Sequence, residues 1–277
     1  MPISWPSGLT ALPAGYGPLF ARAASTFEAD DRVRGMWLHG AMARGAADAG
    51  SDLDVSIAVA DDQFEAFASE WQTWLARITP TVTARPLGPG SFYALTPTCE
   101  RFDIITEKVS EVPTTGHRRR IVVFDKDGLT AQIPAPDDPP PDKGTIAFLV
   151  EETLRQAANF PVGVVRQDWL MGVKSVQQVQ MFLYQLYAES NKPAAPTGPK
   201  QWSSKLTTYQ RHVLEGLPVA APNERSVLAA RDATFAVFFR DAPAIAERNN
   251  VPWSATLEAA VRTYLAKEGV PLPMAGA

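Results

Sequence analysis

The sequence predicts an α+β protein in which a mixed β-sheet flanked by helices, residues 1–135, is followed by an α-helical bundle, residues 136–277. Short runs typical of β-strands alternate with helical patterns in the first half of the chain. After residue 145 the spacing of apolar residues is helical almost throughout. Between these regions the segment QIPAPDDPPPDKG, residues 132–144, carries five prolines and is typical of a linker.

Composition and charge exclude several classes of protein. The 277-residue chain is 45% hydrophobic and 20% charged, which is ordinary for a soluble globular protein. Its net charge of −4 argues against broad nucleic-acid binding, which needs a basic surface. The N-terminal 17 residues lack a signal-peptide pattern, and no apolar run approaches the roughly 20 residues of a membrane span. Since Cys99 is the only cysteine, a reducing compartment fits best, and we expect a cytoplasmic monomer or homodimer without membrane partners.

Each element of the first domain follows from its own pattern. The predicted helices cover residues 17–30 and 61–78, and Asp61 or Asp62 is the expected N-cap of the second. The expected strands are residues 33–39, 51–59, 81–87, 91–95 and 101–109, with a further strand within 118–128 that ends in a turn at Asp127-Gly128.

The second domain is expected to be almost entirely helical. Five segments each carry an apolar stripe at helical spacing. They are residues 145–160, 175–190, 203–217, 224–249 and 253–269.

Two aspartates open the apolar run that forms the second predicted strand. Residues i and i+2 of a strand point to the same face, so Asp52 and Asp54 present two carboxylates side by side, opposite Leu53 and Val55. Without a partner such a pair would repel and raise the pKa of one member, whereas Mg²⁺ removes that penalty. A third acid, Asp103, occupies a similar place in a later strand and joins the pair if the two strands are neighbours. Three carboxylates around Mg²⁺ suit phosphoryl or nucleotidyl transfer.

A glycine-containing loop precedes the acidic pair. Gly40 directly follows the first predicted strand and permits close approach of the backbone to a ligand. Residues 41–45 are expected to begin a short helix whose backbone N–H groups face a triphosphate. A phosphate loop, a metal-binding pair and a third acid thus occur in the order that nucleotidyl transfer requires.

The stretch HGAMARGAADAGSDLDVSIAV, residues 39–59, resembles the signature of the nucleotidyltransferase superfamily that includes DNA polymerase β. That signature is Gly-Ser, then Ala-Arg-Gly, then Ser-Asp-x-Asp on a strand. The matching positions are Gly40, Ala43, Arg44, Gly45, Ser51, Asp52 and Asp54. The resemblance implies that Asp52 and Asp54 are metal ligands and that Asp103 is either a third ligand or the base that activates an acceptor hydroxyl.

Within the superfamily the chain is most similar to aminoglycoside and lincosamide adenylyltransferases, which join this domain to a C-terminal helical bundle and bind the acceptor in between. The motifs RQDWLMG, FLYQLYAESNKP and GPKQWSSKLT resemble that group loosely. The resemblance is strong over residues 33–107 and weaker over 145–220. It implies an N-terminal nucleotidyltransferase domain and a helical acceptor-binding domain.

One position departs from the signature, because Ala41 stands where the family has a serine that contacts the nucleotide phosphates. A lost hydrogen bond to a charged group costs roughly 1.5–3 kcal/mol. The resemblance implies nucleotide-binding roles for Gly40, Ala41, Arg44 and Ser51. Arg44 has the alternative of pairing with a nearby acid. Lys200 of GPKQW is a further candidate for the triphosphate, with a solvated loop lysine as its alternative.

Four residues of the second domain are candidates for binding the acceptor. Glu151 or Glu152 would bind a cationic acceptor or act as a base, although a helix N-terminal turn favours acids in any case. Asp168 and Trp169 would hold an amino sugar by charge and stacking, with an ordinary N-cap and a core tryptophan as the alternative. His39 is expected to be structural, and the charges of residues 117–120 are expected to form a solvated hairpin face.

The function expected from these residues is Mg²⁺-dependent transfer of a nucleoside monophosphate from ATP or another NTP to a hydroxyl of a small molecule, with release of pyrophosphate. An aminoglycoside or lincosamide is the acceptor that the resemblance suggests, and the acidic balance fits a cationic acceptor. Two alternatives stay open. One is an antitoxin-like enzyme that adenylylates a protein. The other is a non-catalytic nucleotide-binding relative, because Ala41 replaces the serine of the family signature.

Overall fold

The computed structural model describes residues 6–193, 198 and 200–273. The first five residues and Pro199 of the GPKQWSSKLT motif therefore lie outside the described residues. The chain divides into two compact units. The first unit comprises Met1–Asp137 and Pro196–Lys200, and the second comprises Asp138–Ala195 and Gln201–Ala277. The boundary after Asp137 falls inside the proline-rich segment.

The first unit contains a mixed sheet and four α-helices among its described residues. In chain order the elements are α1 (Tyr16–Glu28), β1 (Val33–Leu38), α2 (Gly40–Ala43), β2 (Leu53–Val59), α3 (Phe64–Ser69), α4 (Trp71–Ile78), β3 (Thr83–Gly88), β4 (Ser91–Leu95), β5 (Arg101–Lys108) and β6 (Ile121–Asp125). The strand order is β3-β4-β5-β2-β1-β6, and within the described part β2 and β5 form the one parallel pair. The predicted mixed sheet flanked by helices is confirmed.

The two faces of β2 have different surroundings because side chains alternate along a strand. Leu53, Val55 and Ile57 are fully buried in the main core of the first unit, which also contains the apolar face of α1. The opposite face carries Asp54 and Ser56. Burying each large apolar side chain stabilises the fold by roughly 1.5–3 kcal/mol, so this alternation determines which face of the strand presents the carboxylate.

A second, smaller cluster covers the other face of the sheet. Trp37 of β1 is fully buried there against Ala58, Val112 and Leu129. Its indole N–H donates to the Thr130 hydroxyl at 2.9 Å, so its polar atom is satisfied. Short 3-10 turns at Val109–Thr114 and Leu129–Gln132 supply these contacts.

The helix predicted over residues 61–78 is interrupted. A 3-10 turn at Asp61–Gln63 is followed by α3 and α4, which are separated at Glu70. The prediction that Asp61 or Asp62 is the N-cap was wrong, since the residues before the turn and before α3 are Ala60 and Gln63. The Asp61 carboxylate instead accepts the backbone N–H of Ser110 at 3.1 Å. A tertiary contact replaces the local one.

The second unit is helical throughout its regular structure, as predicted for the C-terminal region. Its helices are α5 (Lys143–Ala157), α6 (Phe160–Arg166), α7 (Trp169–Ser190), α8 (Thr208–Glu215), α9 (Glu224–Arg248) and α10 (Ala255–Lys267). They enclose a core of aliphatic residues and of aromatic residues such as Phe235 and Phe238. No helix in residues 6–193 or 200–273 is both long enough and apolar enough to cross a membrane.

Capping explains where two of these helices differ from prediction. The Asp168 side chain accepts the backbone N–H of Met171 at 3.0 Å, so α7 starts at Trp169 rather than at residue 175. The predicted helix 203–217 begins only at Thr208. Its N-cap is Thr207, which forms a capping box with Gln210 and so fixes the start of the helix there.

Candidate active site

Three aspartates meet at one end of the parallel strand pair. Asp54 of β2 is the register partner of Asp103 on β5. Asp52 precedes β2 and lies two residues before Asp54, on the same side. One carboxylate oxygen from each aspartate lies within 4.8 Å of the others, and all three residues are partly buried. The parallel pairing of β2 with β5 thus produces the trio that the sequence predicted only on the condition that the two strands are neighbours.

We define the acidic trio as Asp52, Asp54 and Asp103; burial and repulsion raise the pKa of two of its members. Burial first, then the charges of Asp52 and Asp103, raise the pKa of Asp54 from 3.8 to about 6. Burial and Asp52 likewise raise the pKa of Asp103. Closely spaced, desolvated carboxylates disfavour their own ionised forms, so the trio is a strong attractor for a cation.

The trio fits a hard divalent cation. All its donors are carboxylate oxygens, which Mg²⁺ prefers. Two oxygens on one Mg²⁺ lie at most about 4.2 Å apart, twice the usual ligand distance of about 2.1 Å. The 4.8 Å limit on the trio therefore requires only small side-chain rotations to bring all three oxygens onto one ion.

Two side-chain cations contact Asp52. The Lys200 Nζ lies 2.6 Å from Asp52 Oδ2, and Arg101 Nε lies 3.7 Å from the same oxygen. The Arg101 guanidinium also donates to the Gly50 carbonyl, while its backbone N–H donates to the Tyr16 hydroxyl at 3.0 Å. Lys200 belongs to the first unit although it follows α7 in sequence. The structure thus brings this predicted residue to the acidic trio.

Gly40 begins α2 beside the trio. Its φ of +62° lies in the left-handed region that favours glycine. A Cβ atom at this position would overlap Asp54 Oδ2 and lie 2.5 Å from Asp54 Cγ. The first strand and the acid are also joined by the backbone, because the His39 N–H donates to the Asp54 carbonyl at 3.1 Å. The glycine is therefore the residue that lets the loop touch the carboxylate.

The remaining loop residues have distinct surroundings. Ala41 is buried at 9% exposure, and its carbonyl accepts the Ala46 N–H at 3.0 Å. Ser51 is engaged in a turn, where its hydroxyl donates to Asp48 Oδ1 at 3.1 Å and accepts the Asp48 N–H at 3.0 Å. Arg44 has a buried Nε without a hydrogen-bond partner among the described residues.

A basic cleft of about 380 Å³ adjoins the loop on the β1 side. It is lined by His39, Gly40, Arg44, Gly116, His117, Arg118, Arg119, Pro136 and Asp137. The ring centroids of His39 and His117 lie 4.9 Å apart. Nε2 of His39 is buried without a hydrogen-bond partner in the described part of the chain. Burial, then His117 and Arg120, lower the pKa of His39 to about 3. A site with an unpaired arginine N–H and several cations is suited to an anion.

The expectation of a solvated hairpin face at residues 117–120 was wrong in part. His117 lines the basic cleft, and the Arg120 guanidinium is buried in an ion pair with Glu107 that stacks over Trp37. The signal in the sequence was that HRRR immediately precedes β6, whose partner β1 leads into Gly40. Pairing of these strands brings the basic run to the loop.

The four acceptor candidates all belong to the second unit. The Glu151 carboxylate accepts the Ser254 hydroxyl at 3.1 Å. Glu152 pairs with Arg155 at 2.6 Å and lines a cleft of about 530 Å³ together with Lys174. Asp168 acts as the N-cap of α7, and Trp169 packs on the helical core.

Comparison with known proteins finds a match among solved structures. No protein-family model matches the chain, and no curated protein matches it. The crystal structure of an aminoglycoside 6-adenyltransferase from Bacillus subtilis is similar, with 15% sequence identity and a TM-score of 0.44. The similarity covers 91% of this chain and 97% of that one. The roles of individual residues therefore rest on the geometry of this chain itself.

Proposed function

We propose that this protein is a Mg²⁺-dependent nucleotidyltransferase that moves a nucleoside monophosphate from ATP or another NTP to a hydroxyl of a small molecule. The observation that carries the proposal is the register of Asp54 with Asp103 on parallel strands, with Asp52 beside them. The raised pKa values of Asp54 and Asp103 show that their charged forms are costly unless a cation joins them. The glycine loop and the basic cleft directly beside them supply the complementary surface for phosphates.

The acidic trio would hold Mg²⁺, and the basic cleft would hold the terminal phosphates. When bound, Mg²⁺ neutralises charge on the phosphate oxygens during in-line displacement. Arg44, His39 and His117 line the cleft and would orient the part of the triphosphate that leaves as pyrophosphate. Gly40 would let the loop backbone approach the chain of phosphates.

The acceptor supplies the nucleophile. Its hydroxyl oxygen forms a bond to the α-phosphorus, the bond from that phosphorus to the β-phosphate oxygen breaks, and pyrophosphate leaves. The hydroxyl proton passes to a carboxylate of the trio. We assign this role to Asp103, because Asp52 is already paired with Lys200 and Asp54 abuts Gly40.

The acceptor is proposed to be a small cationic molecule such as an aminoglycoside, or a lincosamide. The resemblance of residues 33–107 and the net charge of −4 support this class. Glu151, Glu152, Asp168 and Trp169 stay candidates for its recognition.

The test is turnover over a panel of aminoglycosides and lincosamides with each NTP and Mg²⁺. Pyrophosphate release and mass spectrometry of a nucleoside-monophosphate adduct are the readouts. We expect Asp54→Asn to abolish both, because it removes a metal ligand. The matched control is Asp62→Asn, since Asp62 is exposed and bonds only the neighbouring Gln63 among the described residues. It should retain wild-type activity.

The same measurement distinguishes the alternatives. An adduct found on a protein instead of a small molecule would indicate a protein-adenylylating enzyme. NTP binding without any adduct or pyrophosphate would indicate a non-catalytic nucleotide-binding protein. Absence of NTP binding, or equal binding in the presence and absence of Mg²⁺, would contradict the proposed function.

A further inference from the structure

We infer that Lys200 is a built-in counter-ion of Asp52 that competes with divalent metal, so that metal binds well only together with a triphosphate. The inference rests on the proposed function in that the acidic trio is taken as the metal site. It adds the form of the substrate: a metal–triphosphate complex rather than free metal followed by NTP.

The ammonium group already occupies a cation position at the trio. Lys200 Nζ lies 2.6 Å from Asp52 Oδ2, within salt-bridge and hydrogen-bond distance. The Asp52 side chain is only 15% exposed, so it depends on a cationic partner.

Lys200 is able to move away from Asp52, whereas Arg101 is held in place. The Lys200 side chain is 65% exposed, and exposed ion pairs are weak enough to exchange readily. The Arg101 guanidinium, by contrast, also donates to the Gly50 carbonyl, and its backbone is held by Tyr16. A lysine ammonium is a compact charge on a flexible stem, which suits transfer from a carboxylate to a phosphate.

Coupling between metal and triphosphate follows from this exchange. Free metal has to displace the ammonium from Asp52 and leave it without an anionic partner. A triphosphate offers the displaced ammonium a new partner, so each ligand strengthens binding of the other by the same factor. Removal of the ammonium should therefore strengthen binding of free metal and weaken the coupling.

The experiment measures Mn²⁺ affinity by electron paramagnetic resonance, with and without a non-hydrolysable α,β-methylene NTP analogue. Lys200→Met removes the charge, and Lys200→Arg keeps it. Lys267→Met, on the exposed end of α10, is the control, because it changes the net charge by the same amount. We expect Lys200→Met to bind free Mn²⁺ about tenfold more tightly than wild type, as loss of one charge near a divalent ion predicts. The factor by which the analogue increases Mn²⁺ affinity should be about tenfold smaller in Lys200→Met than in wild type. Lys200→Arg and Lys267→Met should resemble wild type.

The direction of the effect excludes a merely structural role, since damage to the site would weaken metal binding. Unchanged or weaker affinity for free Mn²⁺ in Lys200→Met would overturn the inference and leave the metal site standing. If neither wild type nor variant binds Mn²⁺ even with the analogue, the acidic trio is not a metal site, and the proposed function falls as well. Thermal unfolding of each variant confirms that the compared proteins are folded.

Discussion

Gly40 and Asp54 are in such close contact that the space for a side chain at residue 40 is filled by the carboxyl group of Asp54. A Cβ atom at residue 40 would overlap Oδ2 and lie 2.5 Å from Cγ of the aspartate. The loop and the carboxylate therefore fix each other's positions.

Gly40→Ala is expected to displace the Asp54 carboxylate and to place alanine at a φ of +62°. The backbone strain costs about 1–3 kcal/mol of stability, and we expect loss of at least about 100-fold in kcat/KM from a misplaced ligand. Gly45→Ala is the control: its φ is +70°, but within the described chain a Cβ atom there meets nothing within 4 Å. Urea unfolding and turnover should show similar destabilisation in both variants but a large loss of activity only in the first. Equal activities would contradict the prediction.

Asp54→Asn should stabilise the protein in the absence of metal. The pKa of this carboxyl is raised from 3.8 to about 6, so the folded state binds a proton more strongly than the unfolded state. The resulting cost is absent below pH 3.8, grows as pH rises towards 6, and is complete above it. We expect a gain on the order of 1–3 kcal/mol at pH 7.5 and little gain at pH 3.5. Urea unfolding at both pH values checks this.

Asp62→Asn, at an exposed position, should leave the stability unchanged at either pH. A destabilised Asp54→Asn variant at pH 7.5 would mean that the carboxylate already has a strong partner in the metal-free protein.

Ala41→Ser should increase nucleotidyl transfer. The resemblance places a phosphate-contacting serine at this position, and a hydrogen bond to a charged group contributes roughly 1.5–3 kcal/mol, so we expect kcat/KM for the NTP to rise about tenfold or more. Ala49→Ser, at an exposed position in the same loop, is the matched control and should change nothing. Lower activity in Ala41→Ser would show that the buried methyl group matters more for packing than the missing hydroxyl.

Arg44→Met should weaken binding of triphosphate and pyrophosphate. The guanidinium lines the basic cleft with an unpaired buried Nε atom, so its loss removes a charged donor without breaking a described hydrogen bond. We expect about a tenfold higher Kd for both anions, from a charge-assisted hydrogen bond worth about 1.5 kcal/mol or more. Calorimetry with pyrophosphate isolates this contact from the base of the nucleotide. Arg85→Met, on the exposed strand β3, should bind like wild type.

His39 should make the fold sensitive to acid. Its pKa is lowered from 6.5 to about 3, mainly by burial, so the unfolded state binds the proton more strongly. This contribution to stability is complete above pH 6.5 and is lost as pH falls towards 3. When the pH is lowered from 7.5 to 5, the free energy of unfolding should decrease by about 2 kcal/mol less in His39→Gln than in wild type. His212→Gln, on the exposed face of α8, is the control; an equal acid dependence in all three proteins would refute the assignment.

Much of the site was predictable because its parts are local. The period of a strand places Asp52 and Asp54 on one side whatever the rest of the chain does. Leu53, Val55 and Ile57 require the opposite face of the strand to be buried, which makes the register unambiguous. The position of Gly40 just after β1 was likewise predictable from the local pattern of residues, and so was the helical character of the second unit.

Other features depended on contacts between distant parts of the chain. Asp103 reaches Asp54 only because β5 pairs in parallel with β2, and His117 reaches His39 only because β6 lies beside β1. Asp61 lies in the turn before the helix it was expected to cap, and its carboxylate binds the Ser110 backbone instead.

By itself the sequence determined the fold class, the acidic pair and the glycine loop, since periodicity and conformational preference act over a few residues. Only the tertiary structure decided that the candidates Asp103 and Lys200 reach the pair and that Arg101 joins them. Strand order and the contact of Lys200 with Asp52 depend on packing between distant parts of the first unit, and sequence spacing does not encode the distance from residue 200 to residue 52.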